Sequence, residues 1–372
     1  MNNTNNESQS DDRLESLDVL RGFDIFWIVG GGGLLTAIIH CLNIPSLNRI
    51  LPHLEYSRWN GFTAWDLIFP LFIFISGVAM PFSFEKYIRN EQKTTLYLKV
   101  LKRAAILVVL GCIYNGLLQT LDFSSARYLS VLGLIGMAYF WSSIVVMNFK
   151  PAIQVSIAAI ILISYYLILT YAHVPGYGAG VLTMEGNFAS YIDRTIVPGR
   201  LLAGASDPEG LLMTFPASVL AIIGAVCGNF LKKDINPYKK ITYIIAAATV
   251  CLITGLIWDK TFPINKRLWT SSFVVYASGY SLILMAIFYL VVDIWQIRKL
   301  FFPFLLIGLN PIAIYICAHK LIDFESMSRF LFGGLLIISP NQFEPIITAI
   351  SILICELLFL YVLYRKKLAF KI

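Results

Sequence analysis

The chain has 372 residues, 58% of them hydrophobic and only 14% charged, with a formal net charge of +7 and a mean hydropathy of +0.72. Soluble domains carry about 25% charged residues, so a water-soluble protein is excluded. The positive balance is no nucleic-acid signal either, because the Lys and Arg residues sit in short segments between apolar runs. Such runs, each about 20 residues long, recur along the chain and imply an all-α, polytopic membrane helix bundle.

Residues 1–12 are polar and rich in Asn and Ser. They read as a disordered tail with no basic region of the kind that opens a signal peptide. Residues 13–372 read as one transmembrane domain. The apolar pattern predicts ten spans, at about 23–42, 62–82, 104–121, 128–149, 152–171, 211–231, 241–258, 268–295, 301–318 and 346–364. The run 330–338 is too short to span. The densest basic clusters, from Lys86 to Arg103, Lys232 to Lys240 and Arg365 to Lys367, all fall on the side of the N-terminus. That distribution predicts that both termini are cytoplasmic. Six cysteines without a CxxC pair lie in or beside the apolar runs and read as packing residues.

Taken in order, Asp18, Arg21 and Asp24 are three apart and share one helical face. They could hold a phosphate-bearing ligand or lock two helices together. Positions 30–33 are all glycine, which fits close approach of another backbone or a flat ligand, and equally fits tight helix packing. All four histidines, His40, His53, His173 and His319, lie at or beyond the outer ends of spans. Histidine-based chemistry would therefore sit on the outer face, although interfacial histidines are also simply tolerated. The stretch from Arg58 to Met80 passes from polar and aromatic to apolar with Asp66 just inside it. An acid there is a functional candidate or a helix-start acid favoured by the dipole.

The segment 172–210 is the longest between spans and holds Tyr191-Ile-Asp-Arg194 and Asp207-Pro-Glu-Gly210. Long ordered loops are usually functional. Asp207 also reads as an N-cap with Pro208 at the first helical position. The segment 262–272 sets Lys266, Arg267 and Trp269 at the interface. Asn310, followed by Pro311, breaks the ninth span, and a buried Asn usually bonds across helices. Asp293 and Glu356 lie in spans without a motif.

Together, Leu17-Asp-Val-Leu-Arg-Gly22, Trp59-Asn-Gly-Phe-Thr-Ala-Trp-Asp-Leu-Ile-Phe-Pro70, Tyr191-Ile-Asp-Arg194, Asp207-Pro-Glu-Gly-Leu211, Asn265-Lys-Arg-Leu-Trp269 and Gly308-Leu-Asn310 resemble the membrane domain of heparan-α-glucosaminide N-acetyltransferase and its bacterial relatives, from about Arg13 to the C-terminus. The resemblance implies a multi-pass acyltransferase of the inner membrane, with acetyl-CoA as cytosolic co-substrate. Its acceptor would be an amino sugar or envelope glycan on the other side, and a homodimer is among the expected assemblies. It assigns Arg21, Asp18, Gly32 and Asn310 to the CoA path. Trp59, Asn60, Asp193, Arg194, Asp207, Glu209, Asn265, Lys266 and Trp269 would line the acceptor site, and Asp66 would orient the base. Two positions depart from the family pattern. The histidine expected three residues before Trp59 is replaced by Tyr56, which leaves His53 as the nearest base. An asparagine expected beside the first-span glycines falls at Gly32. The rival class is a transporter or flippase for a saccharide or lipid-linked sugar, built on polar residues in broken spans.

Overall fold

A computed structural model describes residues 14–368; the expected tail 1–12 lies outside the described residues. The architecture is an α-helical membrane bundle. We label its helices α1 (Glu15–Leu42), α2 (Trp65–Arg89), α3 (Lys93–Tyr114), α4 (Val131–Asn148), α5 (Pro151–Tyr171), α6 (Phe188–Ile196), α7 (Thr214–Leu231), α8 (Pro237–Asp259), α9 (Ser271–Ile294), α10 (Lys299–Leu309), α11 (Pro311–Leu321), α12 (Phe324–Ile338) and α13 (Asn341–Arg365). A two-stranded hairpin, His173–Val174 with Gly178–Ala179, is the one sheet among the described residues.

Eight of these helices are long and apolar enough to cross a membrane, and α10 with α11 passes the same test as a pair bent by 73°. The boundaries expected at 104–121 are corrected. The helix there is α3, shifted toward the N-terminus so that its first half carries Lys93, Lys99, Lys102 and Arg103. It stops early because Asn115 donates its side-chain amide to the carbonyls of Arg127 and Leu129, at 3.1 and 2.8 Å. These bonds turn the chain at Gly116, whose φ is +94°. The short run 330–338 is the second half of α12, which packs on α13.

Two helices form the centre. In the most apolar stretches of α2 and α7, 72% of residues are buried, against 17% in α8. Lipid offers no hydrophobic drive between helices, so close packing has to hold them. Their seam is made by glycines. A Cβ on Gly77 would lie 2.0 Å from the Ala221 carbonyl oxygen, and one on Gly224 2.2 Å from that of Phe74.

A second seam explains two of the sequence motifs. A Cβ on Gly22 would meet the Phe304 oxygen at 1.7 Å, and one on Gly308 the Asp18 oxygen at 1.8 Å. The motif glycines on α1 and α10 therefore exist to let these backbones touch. The glycine run in α1 divides its tasks. Gly30 faces Leu353, Gly32 faces the Trp65 ring, and Gly33 has nothing within 4 Å. These contrasts separate close approach from mere helix cost. Gly308→Val should lower stability by about 3 kcal/mol, or prevent folding, since two backbones must part. Gly33→Ala should raise it by up to about 1 kcal/mol. Thermal melts in detergent, followed by tryptophan fluorescence, read both.

Candidate active site

Three loop segments converge at one end of the bundle. Gly61, with φ +115°, turns the chain so that its N–H donates to the Ile264 oxygen at 2.8 Å. Beside it Asn265 Nδ2 donates to Asn60 Oδ1 at 3.0 Å. Trp269, fully buried, donates its indole N–H to the Pro208 oxygen at 2.9 Å. Trp59 donates likewise to the Leu182 oxygen at 3.0 Å. Trp59, Asn60, Asn265 and Trp269, expected to line an acceptor site, also tie the loops to one another.

A buried ion cluster forms the second layer. Arg127 grips Asp207 with Nε and Nη2, both at 2.7 Å, and also donates Nη2 to Glu209. Asp207 further accepts the Leu202 N–H at 2.9 Å and the Glu209 N–H at 3.1 Å. It is not an N-cap: α7 begins only at Thr214, capped by Met213. Burial pushes the Asp207 carboxyl up, but the Arg127 hydrogen bonds and charge win and hold it below the ordinary value. Glu209 comes out the other way. Burial drives it up to about 7, with Lys266 opposing and Asp207 adding to the rise. Sequence reasoning missed Arg127. It stands 80 residues from Asp207, so no local spacing announces the pair.

Lys266, 6% exposed, places Nζ 4.0 Å from the centre of the Tyr56 ring and 5.5 Å from that of Phe69. The two rings stack at 6.4 Å and 15°. Desolvation lowers the Lys266 pKa, against the pull of Glu209 and Asp66. Burial, reinforced by Glu209 and Asp66, raises that of the Tyr56 hydroxyl. Asp66, fully buried at the head of α2, accepts with Oδ2 the N–H groups of Ser57 and Thr63, at 3.2 and 2.9 Å, and the Thr63 hydroxyl at 3.0 Å. It therefore fixes the backbone next to Tyr56. Its Oδ1 is buried with no hydrogen-bond partner among the described residues.

Tyr56, Phe69, Arg127, Glu209, Lys266 and Arg267 wall a cavity of about 210 Å³. The remaining expected site residues lie elsewhere. Asp193 is buried and accepts the Leu211 N–H at 2.9 Å, and burial pushes it up to about 7. Arg194 points away, bonding the carbonyls of Ala205 and Glu185 at 2.6 and 2.7 Å. His53, in a short 3₁₀ turn, lines a separate cavity of about 320 Å³ with Asp24, Trp27 and Trp65. Of Asp18, Arg21 and Asp24, the first two pair. Arg21 bonds Asp18 at 2.9 Å and reaches the Gly308 oxygen at 3.5 Å, whereas Asp24 borders both the His53 cavity and a separate small space of about 20 Å³. That small space shares Phe69 and Val131 as walls with the Lys266 cavity. Asn310, at the bend between α10 and α11, donates to the Leu368 oxygen at 3.3 Å, the bond between segments expected of it.

The family model described as domain of unknown function DUF5009 matches residues 13–180. Heparan-alpha-glucosaminide N-acetyltransferase of Mus musculus is 29% identical over 381 residues, covering 86% of this chain and 56% of the mouse protein. The Homo sapiens protein of the same name is 26% identical over 425 residues, covering 97% of this chain and 60% of its own length. The chain thus spans less than two thirds of either relative. The likeness read from the six motifs is a likeness along most of this chain.

The ion cluster makes a stability claim. Arg127→Gln strands a buried Asp207, a change that typically costs about 3–5 kcal/mol. Arg127→Lys keeps the charge but loses the two-pronged grip and should fall between. Melting temperatures in detergent rank the three proteins, and equal values for wild type and Arg127→Gln would refute the assignment.

Proposed function

We propose that this protein is an acyltransferase of the inner membrane. It takes an acetyl group from acetyl-CoA on the cytoplasmic side and delivers it to the amine of an amino sugar or envelope glycan on the periplasmic side. The observation that carries this reading is the Lys266 cavity, where a buried acid and a buried amine, both shifted toward neutrality, share one wall with a tyrosine hydroxyl. Shifts of this kind gather where proton transfer is performed. The names borne by the mouse and human relatives supply the reaction class.

In this reading the acceptor amine attacks the thioester carbonyl. A C–N bond forms, the C–S bond breaks, and the amine proton passes to Glu209 and on to the CoA thiolate. Glu209, at about 7, is matched to a general base near neutral pH. Tyr56 stays protonated and cannot be that base. Its O–H instead offers a hydrogen bond to the developing oxyanion, with the Lys266 charge beside it. Arg127 holds Glu209 in place, and Asp66 holds the Tyr56 backbone. Arg21 and Asp18 stand at the CoA entrance, with Gly32 and Asn310 along the path from it. His53, facing Asp24 across the neighbouring cavity, is the rival base.

Labelled acetyl transfer to glucosamine tests the roles. Only ionised Glu209 accepts a proton, so the rate should rise as pH increases through about 7. Glu209→Gln should remove that limb and lower the rate by about 10²–10⁴-fold, while His53→Ala keeps it. The reverse outcome moves the base to His53. The bent helix pair at Asn310 also fits a transporter, a reading that acetyl-CoA binding by the purified protein would exclude.

A further inference from the structure

Glu209 has two sides. One faces the Lys266 cavity, and the other closes a second cavity of about 550 Å³ between α3, α4 and the start of α7. This second space is lined by apolar side chains, among them Val108, Leu134, Met137, Trp141, Leu211 and Phe215. Its three hydroxyl-bearing residues already have partners: Tyr128 donates to the Phe123 oxygen at 2.7 Å. Ser130 caps α4 by accepting the Gly133 N–H at 3.0 Å, and Thr214 donates to the Leu211 oxygen at 2.8 Å. The rim is apolar as well: Leu211, just before α7, is 40% exposed, and Phe215, in its first turn, is 39% exposed. Pockets of about 300–1,000 Å³ with few polar groups are typical of bound organic ligands. Besides Glu209, the only side-chain polar group left open here is the Trp141 indole N–H, buried without a hydrogen-bond partner among the described residues, too little to hold a sugar ring.

We propose that this cavity holds the hydrocarbon tail of the acceptor, which is therefore an amphipathic, lipid-linked amine drawn from the adjoining leaflet. The proposal rests on the acyltransferase reading above and names its substrate class. The tail lies among Met137, Trp141 and Phe215, and the head turns past Glu209 into the cavity of Tyr56 and Lys266. Arg267 borders that same cavity, and its Nε is buried without a hydrogen-bond partner among the described residues. It is placed to meet an anionic group between tail and amine, since an unpaired guanidinium N–H is a natural carboxylate or phosphate donor. A soluble glycan would leave the apolar cavity idle. A lipid acceptor uses both compartments and explains why they share one wall.

The test compares free glucosamine with decyl glucosaminide as acceptors for labelled acetyl-CoA. The alkyl acceptor should show a KM lower by at least roughly tenfold, since a tenfold gain needs only about 1.4 kcal/mol and each buried methylene contributes about 0.8 kcal/mol. Met137→Trp, which fills the cavity, should erase that advantage and bring the two KM values together. A binding readout separates this proposal from the reaction itself. Decyl glucosaminide brominated along its chain should quench Trp141, and the quenching should vanish in Trp141→Phe and in Met137→Trp. Quenching without acetyl transfer would sink the acyltransferase reading and keep the tail site. Equal KM values together with no quenching would overturn the tail site.

Discussion

One guanidinium organises the functional end of this bundle. Arg127 comes from the loop between α3 and α4, and its two carboxylate partners come from the segment before α7. Removed from water, such a group is costly unless each of its charges is met. The fold meets them with a two-pronged bond to Asp207 and a further bond to Glu209. Everything that borders the candidate site then follows. Asp207 is saturated and stays ionised, Glu209 has only part of the same cation and drifts up to about 7. The Pro208 carbonyl between them is held by Trp269, which seats Lys266 over Tyr56.

The loops can be so tightly specified because the helices beneath them are fixed by contact of backbone on backbone. Gly77 and Gly224 join α2 to α7, and Gly22 and Gly308 join α1 to α10. Each contact sets rotation and depth together, for a shifted glycine brings a Cβ into a carbonyl. The head of α2 carries Asp66, so the seam between α2 and α7 also positions the residue that pins the Tyr56 backbone. Rigidity in the apolar layer is what allows a charged cluster at its end to have one arrangement.

The helices were legible in the sequence because a span is a local property: about 20 apolar residues are sufficient, and nine of the ten expected runs appear as crossings when the bent pair is counted as one. The exception, α3, was misplaced because its end is set by a side chain, Asn115, reaching residues further along the chain. The site was legible only in part. Tyr56, Glu209 and Lys266 stood in recognisable motifs and do meet. Asn60, Asn265 and Trp269 stood in the same motifs and also tie the loops to one another, a task that a motif does not reveal. Arg127 carried no local signal, and Gly22 and Gly308 looked like companions of Arg21 and Asn310 when their task was to be small.

The space of about 20 Å³ that Asp24 borders has a steric meaning. It has room for about one water, and apart from Asp24 and Tyr315 its walls are apolar. A group larger than water enters it only if one of the surrounding side chains, such as Phe69 or Ile312, turns aside. Beneath the charged loops the bundle is therefore close to dry, and its apolar layer sorts by size before it sorts by charge.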